Sequence, residues 1–233
     1  GAATTREEAL FANAPGDAKS LDKGAAFERA DVPDEAYADG RIAAAAIERL
    51  RGFKKSGERF FLAAGFLKPH LPFCAPARYW DLHDPATLPL ADTCVPPQGA
   101  PQFAPQFGNE LRNYAGITER GDLPESLQRT LVHGYYAAAS FMDAQVGKLL
   151  DELDALGLTD DTIIVLWGDH GWHLGDHGMW CKHTNYEQAT RAPLIVVVPG
   201  RRAGQRSAVI VEFVDIYPTL CDLAGIPRPT HLQ

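Results

Sequence analysis

Residues 168–183 read Gly-Asp-His-Gly-Trp-His-Leu-Gly-Asp-His-Gly-Met-Trp-Cys-Lys-His, and they hold four of the chain's eight histidines. Asp169 beside His170 pairs a hard oxygen donor with an imidazole, which is half of a divalent-cation site. Lys182 adds a positive charge of the kind that stabilises a negatively charged reacting group. A lone Asp-His-Gly triplet reads equally as an Asx-type turn carrying a surface histidine. The crowding of His170, His173, His177, Lys182 and His183 behind one apolar run favours a site. A second group, Lys68-Pro69-His70-Leu71-Pro72, sets a lysine and a histidine on a proline-stiffened turn. Without further context these two read as a solvated lysine and a turn histidine.

The elements that position these residues follow from periodicity. Thr162-Ile163-Ile164-Val165-Leu166-Trp167 is uncharged and rich in β-branched residues, which predicts a strand buried on both faces of a parallel sheet. The glycines at 168, 171, 175 and 178 let the chain turn tightly beyond the strand's carboxyl end, where open α/β sheets place their chemistry. Residues 124–157 carry a broad apolar stripe at helical spacing, with Pro124 suited to the first turn and Gly157 to the end. A shorter helix is predicted over 39–53, ending at Gly52, and another over 215–224, capped by Gly225. Apolar runs at 59–66, 193–198 and 209–214 read as further strands. Residues 88–124 are rich in Pro, Gly, Gln and Asn and read as a long irregular surface excursion, a kind of segment that often carries function. Helices alternating with strands make the class α/β, with a mostly parallel or mixed sheet flanked by helices.

Composition narrows the functional classes. With 233 residues and 45% hydrophobic content the chain can form one domain or a large part of one. A net charge of −8 without a basic cluster argues against a nucleic-acid partner. No apolar run approaches the roughly 20 residues that span a bilayer, and the first residues lack a secretion-signal pattern. Cys74, Cys94, Cys181 and Cys221 show no C-x-x-C spacing, so neither a zinc module nor a redox pair is indicated. They are free, or joined in one of three pairings. Oligomeric state leaves no trace in the sequence.

The segment from Gly168 to Lys182 resembles the metal-and-lysine segment of the sulfatases, in particular the iduronate-2-sulfatase-like branch. Asp31-Val-Pro-Asp-Glu-Ala-Tyr37, Phe60-Phe-Leu-Ala-Ala-Gly-Phe-Leu-Lys-Pro-His-Leu-Pro-Phe73, the helix over 136–150, Ala189-Thr-Arg-Ala-Pro-Leu-Ile195 and Phe213-Val-Asp-Ile-Tyr-Pro-Thr-Leu-Cys-Asp-Leu-Ala-Gly225 are similar to that family in the same order. The resemblance implies an alkaline-phosphatase-like α/β sandwich. Residues 1–233 would form the later part of one sulfatase catalytic domain, with the N-terminal nucleophile segment and a C-terminal subdomain outside them.

The implied activity is hydrolysis of a sulfuric ester, with a sulfated sugar or related small ester as substrate. In this resemblance Asp169 and His170 are metal ligands, for calcium or alternatively magnesium or manganese. His70 and Lys182 are catalytic contacts to the sulfate. Lys68 is a third substrate contact, although a partly exposed salt bridge explains it equally well. His173 and His177 are expected to bond backbone within the glycine-rich turn, and Glu187 and Arg191 to form a supporting ion pair. The nucleophile, a formylglycine made within a C-x-P-x-R sequence, is expected outside this chain. Cys74-Ala75-Pro76-Ala77-Arg78 satisfies that bare pattern, but its position directly after Pro72-Phe73 marks it as fortuitous. A periplasmic or secreted location is implied by the family. Two rival readings are a phosphomonoesterase or phosphodiesterase of the same superfamily and a noncatalytic, truncated oxyanion-binding fragment.

Overall fold

The computed structural model describes residues 24–106, 110–119 and 121–232. The first residues, read above for a secretion signal, lie outside that set. Two small sheets and one long helix organise the rest. β1 (Phe27–Ala30) pairs in parallel with β2 (Phe73–Pro76), Phe27 opposite Phe73 and Ala30 opposite Pro76. Every residue of β2 is buried. Pro76, which cannot donate to a ladder, ends the strand and leads directly into a short helix, α2 (Ala77–Trp80).

Between β1 and β2 lies α1 (Ala38–Ser56), whose small residues Ala43 and Ala46 and the larger Leu50 are buried. The helix runs past Gly52, the expected end. Its last turn holds Lys54 and Lys55, good helix formers whose charge suits a C-terminus. It stops at Gly57, which takes a left-handed φ of 71° and bonds the Phe53 carbonyl. Residues 59–66 do not form the expected buried strand. They carry no regular secondary structure, with exposure alternating along them and Phe61 83% exposed, because no described segment pairs with their backbone.

α3 (Glu125–Ala155) matches the expected helix within two residues at either end. Its buried stripe of Leu131, Val132, Ala138 and Phe141 lies over β2 and α2. Gly134 makes the close approach possible, since a Cβ there would stand 2.9 Å from the Trp80 ring. An ionic hub ties these elements together. The buried Asp34 carboxylate accepts bonds from Lys148 at 2.7 Å, from Gln145 and Tyr79 at 3.0 Å, and from Arg78. Burial alone would raise its pKa, but these donors outweigh that and hold it below its ordinary value.

β3 (Ile164–Trp167) lies in the expected place but in a different setting. It pairs antiparallel with β4 (Leu194–Val197), which follows the single-turn α4 (Glu187–Thr190), so the expected parallel neighbours are absent among the described residues. Nor is the strand buried on both faces: Trp167 is 48% exposed and all of β4 is exposed. Among the described residues α5 (Ile216–Leu223) lies near this sheet, Ile216 and Leu220 lining one cavity with Val165, Leu194 and Val196, and the Phe213 ring centroid stands 5.0 Å from that of Trp167. The apolar run specifies a strand, but burial on both faces needs a layer on each side. Residues 209–212 likewise form no strand before a 3-10 turn at Phe213–Asp215 leads into α5, which Gly225 follows as expected.

The described residues of the excursion over 88–124 are irregular as expected, with a 3-10 turn among them, Leu111–Asn113, whose Leu111 is fully buried. None of the four cysteines is joined in a disulfide, so none of the possible pairings forms. No described helix is long and apolar enough to cross a membrane.

Candidate active site

The turn carrying His70 is held from two sides. Asp39, in the first turn of α1, accepts the backbone N–H groups of Leu67 and Lys68, each at 2.9 Å. Lys68 is 6% exposed and donates its ammonium to the carbonyls of His70, at 3.0 Å, and Pro72, at 2.6 Å. A partly exposed lysine reaching a substrate or a surface carboxylate was expected, but here the ammonium is turned inward and braces the turn. Burial lowers its pKa.

His70 itself is oriented by its ring nitrogens. Nδ1 sits 2.7 Å from the Leu71 carbonyl, which requires a proton on Nδ1 and leaves Nε2 as the acceptor when the ring is neutral. Nε2 lies 2.6 Å from Nζ of Lys182, although the two residues are 112 positions apart. The same ammonium lies 5.7 Å from the Trp172 ring centroid, and its side chain is only 17% exposed. The two basic residues expected to meet an oxyanion are therefore neighbours.

A third residue, missed by sequence reasoning, completes this cluster. Glu110 places Oε1 3.1 Å from Nζ of Lys182 and 3.0 Å from Nε2 of His70. Burial opposes its charge, but His70 and Lys182 together overcome that and push its pKa down to about 2. The only sequence signal was indirect: Glu110 lies in the long irregular excursion, where functional residues concentrate.

The metal-type pair lies beyond the end of β3. Gly168 bonds the Pro193 carbonyl at 3.0 Å and Gly171 bonds the Ala189 carbonyl at 2.7 Å, so the turn is stitched to the segment leading into β4. Any side chain at Gly171 would collide with the Gln188 carbonyl, 2.0 Å from where its Cβ would stand. His170 sets Nδ1 2.6 Å from the Gly171 carbonyl, which leaves Nε2 available, 3.7 Å from Asp169 Oδ2. Metal-ligating histidines commonly anchor the second nitrogen on a carbonyl in this way. The Asp169 side chain is 79% exposed. The His170 ring centroid is 6.5 Å from that of His70, so the two groups share one site. These donors suit two positions around a divalent ion. No set of three or more His, Cys, Asp or Glu side chains clusters to complete a metal shell among the described residues.

The supporting residues differ from expectation in detail. His173 is fully buried and its Nε2 lies 2.9 Å from the Thr184 hydroxyl. Burial lowers its pKa. His177 does meet backbone, at Val95 and Thr93 of the excursion rather than within its own turn. Glu187 and Arg191 form no ion pair with each other; Arg191 is exposed and its backbone N–H bonds the Glu187 carbonyl. Cys74 is fully buried inside β2, and desolvation pushes its thiol up to about 12. That environment suits an inert core thiol and not a nucleophile precursor.

Comparison with known proteins gives this geometry a family. Iduronate 2-sulfatase of Mus musculus is 35% identical over 231 residues, covering 86% of this chain and 42% of its own length. Choline-sulfatase of Rhizobium meliloti is 29% identical over 203 residues, covering 84% of this chain and 38% of its own. Among solved structures, the phosphonate monoester hydrolase SpPMH of Silicibacter pomeroyi matches with a TM-score of 0.73 at 25% identity, covering 87% of this chain and 40% of that one. The chain spans about two fifths of the length of the curated relatives it matches. Its architecture is the expected α/β arrangement of the alkaline-phosphatase-like superfamily. The sulfatase family model matches residues 8–226, nearly the full sequence, and the chain belongs to the sulfatase family.

Proposed function

We propose that the protein carrying this chain hydrolyses sulfate esters, releasing inorganic sulfate from a sulfated sugar or a related small ester. The observation that supports this reading is the meeting of His70 and Lys182 at 2.6 Å, beside the Asp169–His170 pair. In this reading the Lys182 ammonium binds the sulfuryl oxygens and stabilises the charge that gathers on them as the ester bond breaks. His70, fixed by the Leu71 carbonyl, donates to a second oxygen through Nε2–H when its ring carries both protons. Lys68 acts through the turn, by keeping His70 in place. Asp169 and His170 hold two positions of a divalent ion, calcium by family resemblance or else magnesium or manganese. Such an ion supplies Lewis-acid polarisation of an ester oxygen when bound. The nucleophile, a formylglycine in this family, comes from sequence outside these 233 residues, since buried Cys74 does not fit the role. The relatives named iduronate 2-sulfatase and choline-sulfatase support a small sulfate ester as substrate.

The test is sulfate release by the full-length protein from aryl and sugar sulfates. Lys182→Ala is expected to cut kcat/KM by about 10²–10³ while the circular dichroism spectrum is retained. Undiminished turnover in that variant would overturn the reading. Hydrolysis of a phosphorus ester is the second reading, favoured by the likeness to SpPMH. Paired assays on one aryl sulfate and one aryl phosphonate monoester decide between them, the faster substrate naming the class.

A further inference from the structure

The structure assigns Glu110 a role in substrate choice: we propose that its carboxylate sets the charge class of the ester at the His70–Lys182 pair, admitting tetrahedral monoanions and disfavouring dianions. The inference rests on reading that pair as the oxyanion subsite and deepens it. Glu110 Oε1 lies 3.0 Å from His70 Nε2 and 3.1 Å from Lys182 Nζ, so a fixed negative charge is built into the subsite. Lys182 and Glu110 carry opposite charges, so the carboxylate offsets the ammonium within the subsite. The ammonium has three N–H groups, and His70 and Glu110 engage two, which leaves one for an incoming oxygen.

The carboxylate is not free to swing away. Leu111, the next residue, is fully buried in the core, and Arg112 clamps the same turn to the carbonyls of Thr118, at 2.7 Å, and Gly121, at 2.6 Å. The second carboxylate oxygen, Oε2, is buried with no hydrogen-bond partner among the described residues, so little there screens its charge. A sulfate monoester arrives with one negative charge. A phosphate monoester of the same shape arrives with nearly two above its second pKa of about 6, and the added charge is repelled by Glu110 across a partly desolvated gap.

Methyl sulfate and methyl phosphate are near-isosteric probes that separate charge from shape. They would be titrated at about pH 8, above that phosphate pKa, into the full chain and its Glu110→Gln and Glu110→Asp variants, following the His70 ring and Lys182 ammonium signals by NMR. The wild-type protein is expected to prefer methyl sulfate. In Glu110→Gln the ratio of the two dissociation constants should move by about tenfold toward methyl phosphate, and in Glu110→Asp, which keeps the charge, it should stay near wild type. A cation bound nearby acts on both probes in every variant and cancels in that comparison. If both probes gain or lose by the same factor in Glu110→Gln, or if Glu110→Asp shifts the ratio as much as Gln does, the inference is overturned while the subsite reading stands. If neither probe moves the His70 or Lys182 signals in any variant, the subsite reading fails and the inference fails with it.

Discussion

β2 and β4, one strand from each of the two described sheets, are both uncharged and live in opposite environments. β2 is buried at every position, beneath α2 and α3, with Phe73 meeting Tyr135 and Trp172 edge to face. β4, equally apolar, is exposed throughout, and Ile195 stands 55% open. The difference lies in what covers them: a 31-residue helix crosses the first sheet, while among the described residues the 8-residue α5 and the Phe213 ring lie near the second. Hydrophobic runs therefore report the capacity for burial, and burial itself requires a second layer. The candidate site draws on both regions. His70, Glu110 and Lys182 are half-buried beside the packed core, whereas Asp169 projects into the open at the end of β3.

The largest expected contrast is in stability. Phe141→Ala, in the packed region, should cost about 3–5 kcal/mol, whereas Ile195→Ala should cost less than about 1 kcal/mol in urea denaturation of the same chain. Equal losses would erase the distinction between the two sheets.

Asp34, which ties α2 and α3 beneath the packed sheet, gives the next effect. Asp34→Ala should cost about 2–3 kcal/mol, because buried Gln145 and Tyr79 lose their acceptor. Both Asp34 and Glu110 have folded pKa values below their ordinary ones, so the stability they contribute is complete above the unfolded carboxylate range and is lost as pH falls through the folded values. For Glu110 that window runs from its ordinary 4.5 down to about 2. Denaturation midpoints measured across it should fall more steeply for the wild-type chain than for Glu110→Gln, and identical slopes would break the argument.

The smallest effect is chemical. A thiol reagent should modify exposed Cys94 in the native chain and reach buried Cys74, Cys181 and Cys221 only on unfolding. Rapid modification of Cys74 would sharpen attention on its C-x-P-x-R context.

Much of the local architecture was legible. The stripe over 124–157 became one helix because its apolar period is sustained across many turns, and the uncharged run at 162–167 became a strand beside a second one near 194. Residues 59–66 and 209–214 were misread for the same reason that β1 and β2 were missed. Short segments become strands only if a partner backbone lies alongside, and no local signal reveals the partner. At the site, the types and positions of His70, Asp169, His170 and Lys182 marked candidates that the fold does bring together. The inward turn of Lys68 was hidden, because the sequence does not say that Pro72 and His70 would offer it two carbonyls.

By itself the sequence determined the helical and apolar periods, the glycine-rich turn after β3, the proline turn at 68–72 and the chemical types of the site residues, since each depends on neighbours a few positions away. Tertiary structure alone decided that positions 70, 110 and 182 converge and that Glu110 is held charged between two basic groups. It also decided which apolar strand is dry. Those outcomes depend on how α3 packs across β2 and where the irregular 88–124 segment is anchored, and such long-range packing leaves no mark in any short window of the chain.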